Sequence, residues 1–159
     1  MRKIIIVLTA LLVFGACDDD DIKELLPEMS ATIDGAEWNT ITRVTTFNKG
    51  QQFVIVGTSF AGEILTLYIY GNEAKEYELT LEGGKNCAAG YKASASDSAD
   101  DIYAGVTGKI NLSEINTDKK TISGTFEFTM TKLTETIKIT GGKFSKLRYT
   151  ETDQLQNFQ

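Results

Sequence analysis

Any chemistry in this chain would have to be done without histidine, because the sequence contains none. Ser-His-Asp and Cys-His catalysis, imidazole general bases and His-liganded zinc are therefore excluded. What remains is 22 carboxylates, two cysteines (Cys17 and Cys87) and a supply of hydroxyls. Carboxylates alone can hydrolyse glycosides when an acid and a base flank the bond, but no motif here places such a pair, and no catalytic residue is expected. Asp97, Asp100 and Asp101 concentrate hard oxygen ligands in the polar segment "NCAAGYKASASDSADDIYAG". Calcium favours such ligands, yet their spacing matches no EF-hand or nonapeptide repeat, and a solvated loop tip is the simpler reading. No metal or cofactor is expected. In "LTLYIY", Tyr68 and Tyr70 share a face opposite Leu67 and Ile69. They are the candidate ligand-binding residues, either as a platform on which a sugar stacks or, more simply, as rings covering one side of a strand.

The N-terminus addresses the chain. Met1-Arg2-Lys3 precedes Ile4 to Phe14, eleven residues that are apolar except for Thr9, which is the pattern of a secretory signal. A spanning helix needs about 18 or more apolar residues, so the run is too short to stay as an anchor. Phe14-Gly15-Ala16-Cys17 resembles a bacterial lipobox, in which the cysteine thiol receives a diacylglyceryl group and becomes the first residue of the mature chain. Phe14 stands where Leu is usual, and it is too bulky for the −3 position of an ordinary signal-peptidase site. Several acyl chains on Cys17, each methylene contributing about 0.8 kcal/mol, would hold the protein permanently to a membrane. The acidic run Asp18, Asp19, Asp20 and Asp21 resembles the sorting signal that sends Bacteroidetes lipoproteins to the cell surface. The alternative is retention at the periplasmic face of the inner or outer membrane.

The expected organisation is a signal peptide over 1–16, the lipidated cysteine and acidic tether over 17–30, a β-domain over 31–150 and a tail over 151–159. Removing residues 1–16 from 159 leaves 143, one domain's worth of chain. Arg2 and Lys3 leave with the signal, so 14 basic residues face 22 acidic ones, a formal charge of −8. Nucleic acid is not expected as a partner of such a surface, and anionic lipid is a poor one. Cys87 is then the only unmodified cysteine, so no intrachain disulfide is available, and it reads as a small buried apolar residue.

The tether accommodates one helical turn at "DIKELL", capped by Asp21 and stopped by Pro27. From Met29 onward the period is two, with turns every 8 to 12 residues or so. "TFEFTMT" places Phe126, Phe128 and Met130 on one face; "GKINLSEI" does the same with Ile110 and Leu112, and "ETIKIT" with Ile137 and Ile139. "QQFVIVGTSF" and "EILTLYIY" are denser in apolar residues and read as central strands with both faces covered. Asp34-Gly35 is a type I′ hairpin dipeptide, Asn48-Lys49-Gly50 suits a three-residue turn ending in the left-handed region, and Asn116-Thr117-Asp118 separates two long strands. Gly141-Gly142 marks a bulge or close backbone approach. The fold class is all-β, an antiparallel sandwich of eight or nine strands, with a closed lipocalin-like barrel as the alternative that alternation cannot separate from it.

"ATIDGAEW", "YELTL", "GKINLSEI", "KKTISGTFEF" and "IKITGGKFSKL", in that order, resemble a family of small Bacteroidetes lipoproteins classed as a domain of unknown function. The resemblance implies a β-rich fold and an envelope location and carries no activity. Its motif residues have structural explanations: a turn at Asp34-Gly35, a core plug at Trp38, a bend at Gly124, and Gly142 before an inward Phe144. The chain is thus expected to be a non-enzymatic envelope lipoprotein, a binding or accessory module for a glycan, peptide, small apolar ligand or envelope protein. The alternatives are a structural lipoprotein and, last, a carboxylate-based hydrolase.

Overall fold

The computed structural model describes residues 28–48, 51–79, 86–94 and 101–153. The signal peptide, Cys17, the Asp18 to Asp21 run, the "DIKELL" turn, Pro27, Lys49-Gly50, Asp97 and Asp100 lie outside the described residues. Ten strands follow one another: β1 (Glu28–Ile33), β2 (Ala36–Asn48), β3 (Gln52–Ser59), β4 (Ile64–Tyr70), β5 (Glu76–Leu79), β6 (Cys87–Lys92), β7 (Ile102–Asn116), β8 (Thr121–Lys132), β9 (Glu135–Arg148) and β10 (Thr150–Thr152). No α-helix occurs among the described residues.

The strands pair with their sequence neighbours in an up-and-down meander, β6 taking the place beside β4. Because β1 pairs with β2 on one side and with β9 on the other, the sheet closes on itself as an eight-stranded antiparallel barrel. Of the two arrangements that the alternation allowed, the barrel is the one formed. What decides it is the pairing of the first strand with the ninth, a contact between distant residues that no local pattern encodes. Two strands supplement the wall: β5 pairs with the second half of β7, and β10 runs parallel to the end of β2.

Closure requires curvature, and bulges supply it. On β9, Ile139 stands opposite Phe128 while Gly142 stands opposite Phe126, so one extra residue is inserted at Gly141, which takes φ +59°. A second is inserted at Lys146 (φ +51°), between the partners of Ile122 and Gly124. The Gly141-Gly142 bulge expected from sequence is thus present. Gly142 faces inward, where a Cβ would come within 2.4 Å of the Phe126 ring, and a Cβ on Gly124 would come within 2.6 Å of the Phe144 ring. Each glycine makes room for the phenylalanine of the opposite strand, and the two rings stack with centroids 6.3 Å apart.

The interior is apolar and the outer wall carries Thr, Lys, Glu and Asn. This sidedness is the reverse of a membrane-spanning barrel, whose outward band is apolar. Phe126, Phe128, Met130, Ile110, Leu112, Ile137 and Ile139 all point into the core as their alternation required, and Trp38 joins them at 2% exposure. The pairs "QQFVIVGTSF" and "EILTLYIY" are adjacent wall strands with one core face; their outer faces are only partly covered, Val54 being buried and Tyr70 43% exposed.

One boundary shifts. β1 begins at Glu28, inside the segment assigned to the tether, because Met29 belongs to the core and Glu28 pairs with Lys143 across 2.6 Å. In the β2–β3 turn Gln51 is left-handed (φ +74°), its N–H donating to Asn48 O. Asp34 (φ +47°) and Gly35 (φ +83°) form the two-residue type I′ turn as expected. Asp34 also reaches β9: its N–H donates to Lys138 O, and its Oδ1 accepts from Lys138 N–H at 2.8 Å.

Candidate functional site

Because the strands alternate in direction, the barrel has two rims of different chemistry. The upper rim carries the β1–β2, β3–β4 and β8–β9 turns and the junction between β6 and β7. The lower rim carries the entry of β1, the β7–β8 turn, the end of β9 and β10.

A polar array crosses the upper rim. Tyr91 on β6 donates its hydroxyl to Glu63 Oε1 at 2.8 Å, and Ser59 Oγ donates to Glu63 Oε2 at 2.7 Å. Ser59 and Glu63 are further joined by Glu63 N–H to Ser59 Oγ and by Ser59 N–H to Glu63 O, which fixes the β3–β4 turn. Next to Tyr91, at 6.1 Å between ring centroids, Tyr103 on β7 donates to Glu135 Oε2. Lys132 Nζ lies 4.8 Å from the Tyr103 ring centroid and 3.7 Å from Glu135. Burial and the Glu63 hydrogen bond push the Tyr91 hydroxyl well above the ordinary tyrosine range. The bond to Glu135 raises Tyr103, and its reciprocal effect holds Glu135 below the usual carboxylate value. These bonds tie the β3–β4 turn to β6 and the start of β9 to β7.

Around it, the turn tips are apolar. Phe60 in the β3–β4 turn is 90% exposed and Leu133 in the β8–β9 turn is 94% exposed, with Ile102 half-exposed at the start of β7. Leu133 also adopts φ +54°, a region that side-chain-bearing residues seldom occupy.

The lower rim is closed by rings instead. Phe47, Phe53 and Tyr149 meet with centroids 4.5 to 5.9 Å apart. Beside this plug, Lys119, Lys120, Lys146 and Arg148, with Glu114 and Asp118, line a groove of about 590 Å³. The β7–β8 turn that presents it is fixed by Asn116 Oδ1, which accepts from Lys119 N–H at 2.8 Å.

The residues singled out from sequence lie elsewhere. Tyr68 stands on the outer wall, opposite Val54 on β3 and Ala88 on β6. Tyr70 is beside it, opposite Gln52. Neither belongs to the upper-rim array. Cys87 is fully buried, its Sγ 3.1 Å from Tyr77 O, and burial pushes the thiol up to about 11. Asp101 is already engaged in an interaction, and among the described residues no three carboxylates or cysteines gather as a metal site would. Sequence reasoning missed both rims. The short runs "DKK" and "SKLR" were the available signal for the lower one; the upper one joins residues from four distant segments, which no spacing reveals.

Fold and rims together define a small, water-facing, closed β-barrel with a filled core and two chemically distinct ends. Residues 26–148 match the family described as "Domain of unknown function (DUF6252)", and the chain belongs to that family. No curated protein and no solved structure matches it.

Proposed function

We propose that the protein is an envelope lipoprotein, held to the outer membrane through Cys17, and that its barrel is a non-catalytic binding or accessory module. The observation that carries this reading is the placement of exposed apolar residues. Phe60 and Leu133, the two most exposed large apolar side chains described, sit on the rim opposite the one at which β1 enters. A chain anchored ahead of β1 would present that rim away from its anchor. Exposed apolar tips around a rigid polar array are the composition of a docking surface, apolar anchors for affinity and fixed hydrogen-bonding groups for orientation. The inward side chains merge into one core cluster, which favours a rim over the barrel interior as the place where a glycan, peptide, small apolar ligand or envelope protein is held. The acidic run Asp18 to Asp21 supports cell-surface exposure.

A photocrosslinking residue placed at 60 or 133 in intact cells tests the docking role against the same residue at Thr125 on the outer wall. Defined adducts from the rim positions alone are expected. Equal labelling at Thr125, or no adduct at either rim position, would overturn it. Protease added to intact cells tests the location: removal of the barrel is expected, and full protection would sink the surface assignment.

A further inference from the structure

We infer that the outer wall of β2, β3, β4 and β6 is the contact face of a two-fold dimer, each barrel seating this face on that of a second copy. Among the described residues six large apolar side chains are exposed. Phe60, Ile102 and Leu133 stand at the upper rim; the other three, Ile41, Val44 and Tyr70, all belong to this one side of the wall. The register sets Val44, Val56, Thr66 and Gly90 in one cross-strand row and Thr46, Val54, Tyr68 and Ala88 in the next. None of these residues is charged.

The opposite wall is built otherwise. There one row runs through Glu76, Asn111, Thr125 and Lys143, and the next through Glu78, Lys109 and Glu127. A partner recognised by its charge would be drawn to that side. Loss of charged residues with retention of aliphatic and aromatic ones marks the centre of a protein interface, and the second copy is the occupant that the charge favours. The chain carries −6, and exposed charges act over about 8 Å at physiological salt, so two copies can meet only where neither brings a run of carboxylates. This face satisfies that condition. At its margins stand Arg43 and Lys92, the ion pair of Lys75 with Glu73 at 2.8 Å, and Glu63, whose carboxylate accepts from the Tyr91 and Ser59 hydroxyls. These marginal charges nearly balance. A two-fold axis normal to the face sets the uncharged rows of one copy against those of the other. Four strands about 4.8 Å apart and seven residues of about 3.3 Å each give a face of roughly 440 Å² in projection. Side chains corrugate it, so the accessible area of two such faces reaches about the 1,000 Å² at which contacts become specific.

The test is made in the cells that produce the chain, with Thr66→Cys on this face or Thr125→Cys on the opposite wall, each treated with a short bismaleimide. Cys87 is fully buried, and the chain without an introduced cysteine sets the background. Two differently tagged copies are expressed together. A product carrying both tags is expected from Thr66→Cys in excess of that from Thr125→Cys, although Thr125 is the more exposed position. Adding Val44→Glu and Tyr70→Glu to the Thr66→Cys chain should lower the yield about tenfold or more, because like charges would then face one another across the contact. Both sites are exposed, so the variant should melt like its parent, and the comparison of Thr66→Cys with Thr125→Cys stands whether or not it does. Equal yields at the two positions, or none from Thr66→Cys, would overturn the proposal. So would a product of other mass carrying a single tag, since the face would then belong to a different protein, and so would a dimer undiminished by the two carboxylates in a chain that melts like the parent.

Discussion

The two ends of this barrel do the same structural job with different chemistry. At the lower rim, Phe47, Phe53 and Tyr149 close the core by packing rings. At the upper rim, Tyr91 and Tyr103 close it with their rings but carry hydroxyls that Glu63 and Glu135 must satisfy. An apolar plug leaves its surroundings free to vary, and there the surface carries mobile-length cations around an open groove. A polar closure ties turns together, since every partner must be held in place for the others to stay satisfied. The difference suggests why the turn tips that expose Phe60 and Leu133 sit on the polar end: a rigid base is what lets an exposed apolar side chain persist in one position.

If the closures differ in this way, they should fail differently. Phe53→Ala removes a ring at 1% exposure and should cost about 4 kcal/mol, combining lost transfer energy with the cavity left behind. Glu63→Ala leaves the Tyr91 and Ser59 hydroxyls without their acceptor, and should cost about 2 kcal/mol. Urea unfolding would read both as shifts in midpoint at constant slope. A reversed order would mean that the array, rather than the ring plug, is the stronger closure. Neither substitution touches the wall between them, where the reciprocal packing of Gly124 with Phe144 and Gly142 with Phe126 is common to both ends.

That wall is also where the sequence was most informative. Alternation assigned the inward faces of β7, β8 and β9 correctly, because a strand with one wet face must repeat every two residues. The Asp34-Gly35 turn and the Gly141 bulge were legible because positive φ has few residue solutions. Closure was not: sandwich and barrel share the same period, and the β1–β9 pairing joins Glu28 to Ser145. The rims were hidden for a related reason. Glu63, Tyr91, Tyr103 and Glu135 converge only after the sheet has curled, whereas Tyr68 and Tyr70, adjacent in sequence pattern, stay on the outer wall. The segments "GKINLSEI", "KKTISGTFEF" and "IKITGGKFSKL" lie in the strands β7, β8 and β9 and their turns.

The polar closure should also be the pH-sensitive one. Glu135 is held below the ordinary carboxylate value of 4.5 by the Tyr103 hydrogen bond and then by Lys132. Its contribution to stability is thus fully present above about 4.5 and is lost as pH falls through the lowered value. Tyr91 and Tyr103 are raised above the ordinary 10.0, so their contributions are present below about 10 and are lost as pH rises beyond it. Tyr103→Phe should therefore lower the melting temperature at neutral pH and flatten both flanks of its pH profile, whereas Phe53→Ala should displace the whole profile without flattening it. Parallel displacement by both variants would show that the hydrogen bonds at the upper rim contribute nothing that titrates.

The smallest effect is the most direct on function. Leu133 is 94% exposed and adopts φ +54°, so it buries almost nothing while its Cβ is held in a strained region. Asparagine tolerates that backbone better than leucine. Leu133→Asn should leave stability unchanged or raise it by a few tenths of a kcal/mol, which thermal melting can bound. A side chain that does nothing for the fold at a position where it costs something is the expected state of a residue kept for contact with another molecule. The variant should accordingly lose crosslinking from a probe at position 60 while melting like the parent. Retained crosslinking would separate the two tips, leaving Phe60 as the docking residue and Leu133 as an incidental feature of its turn.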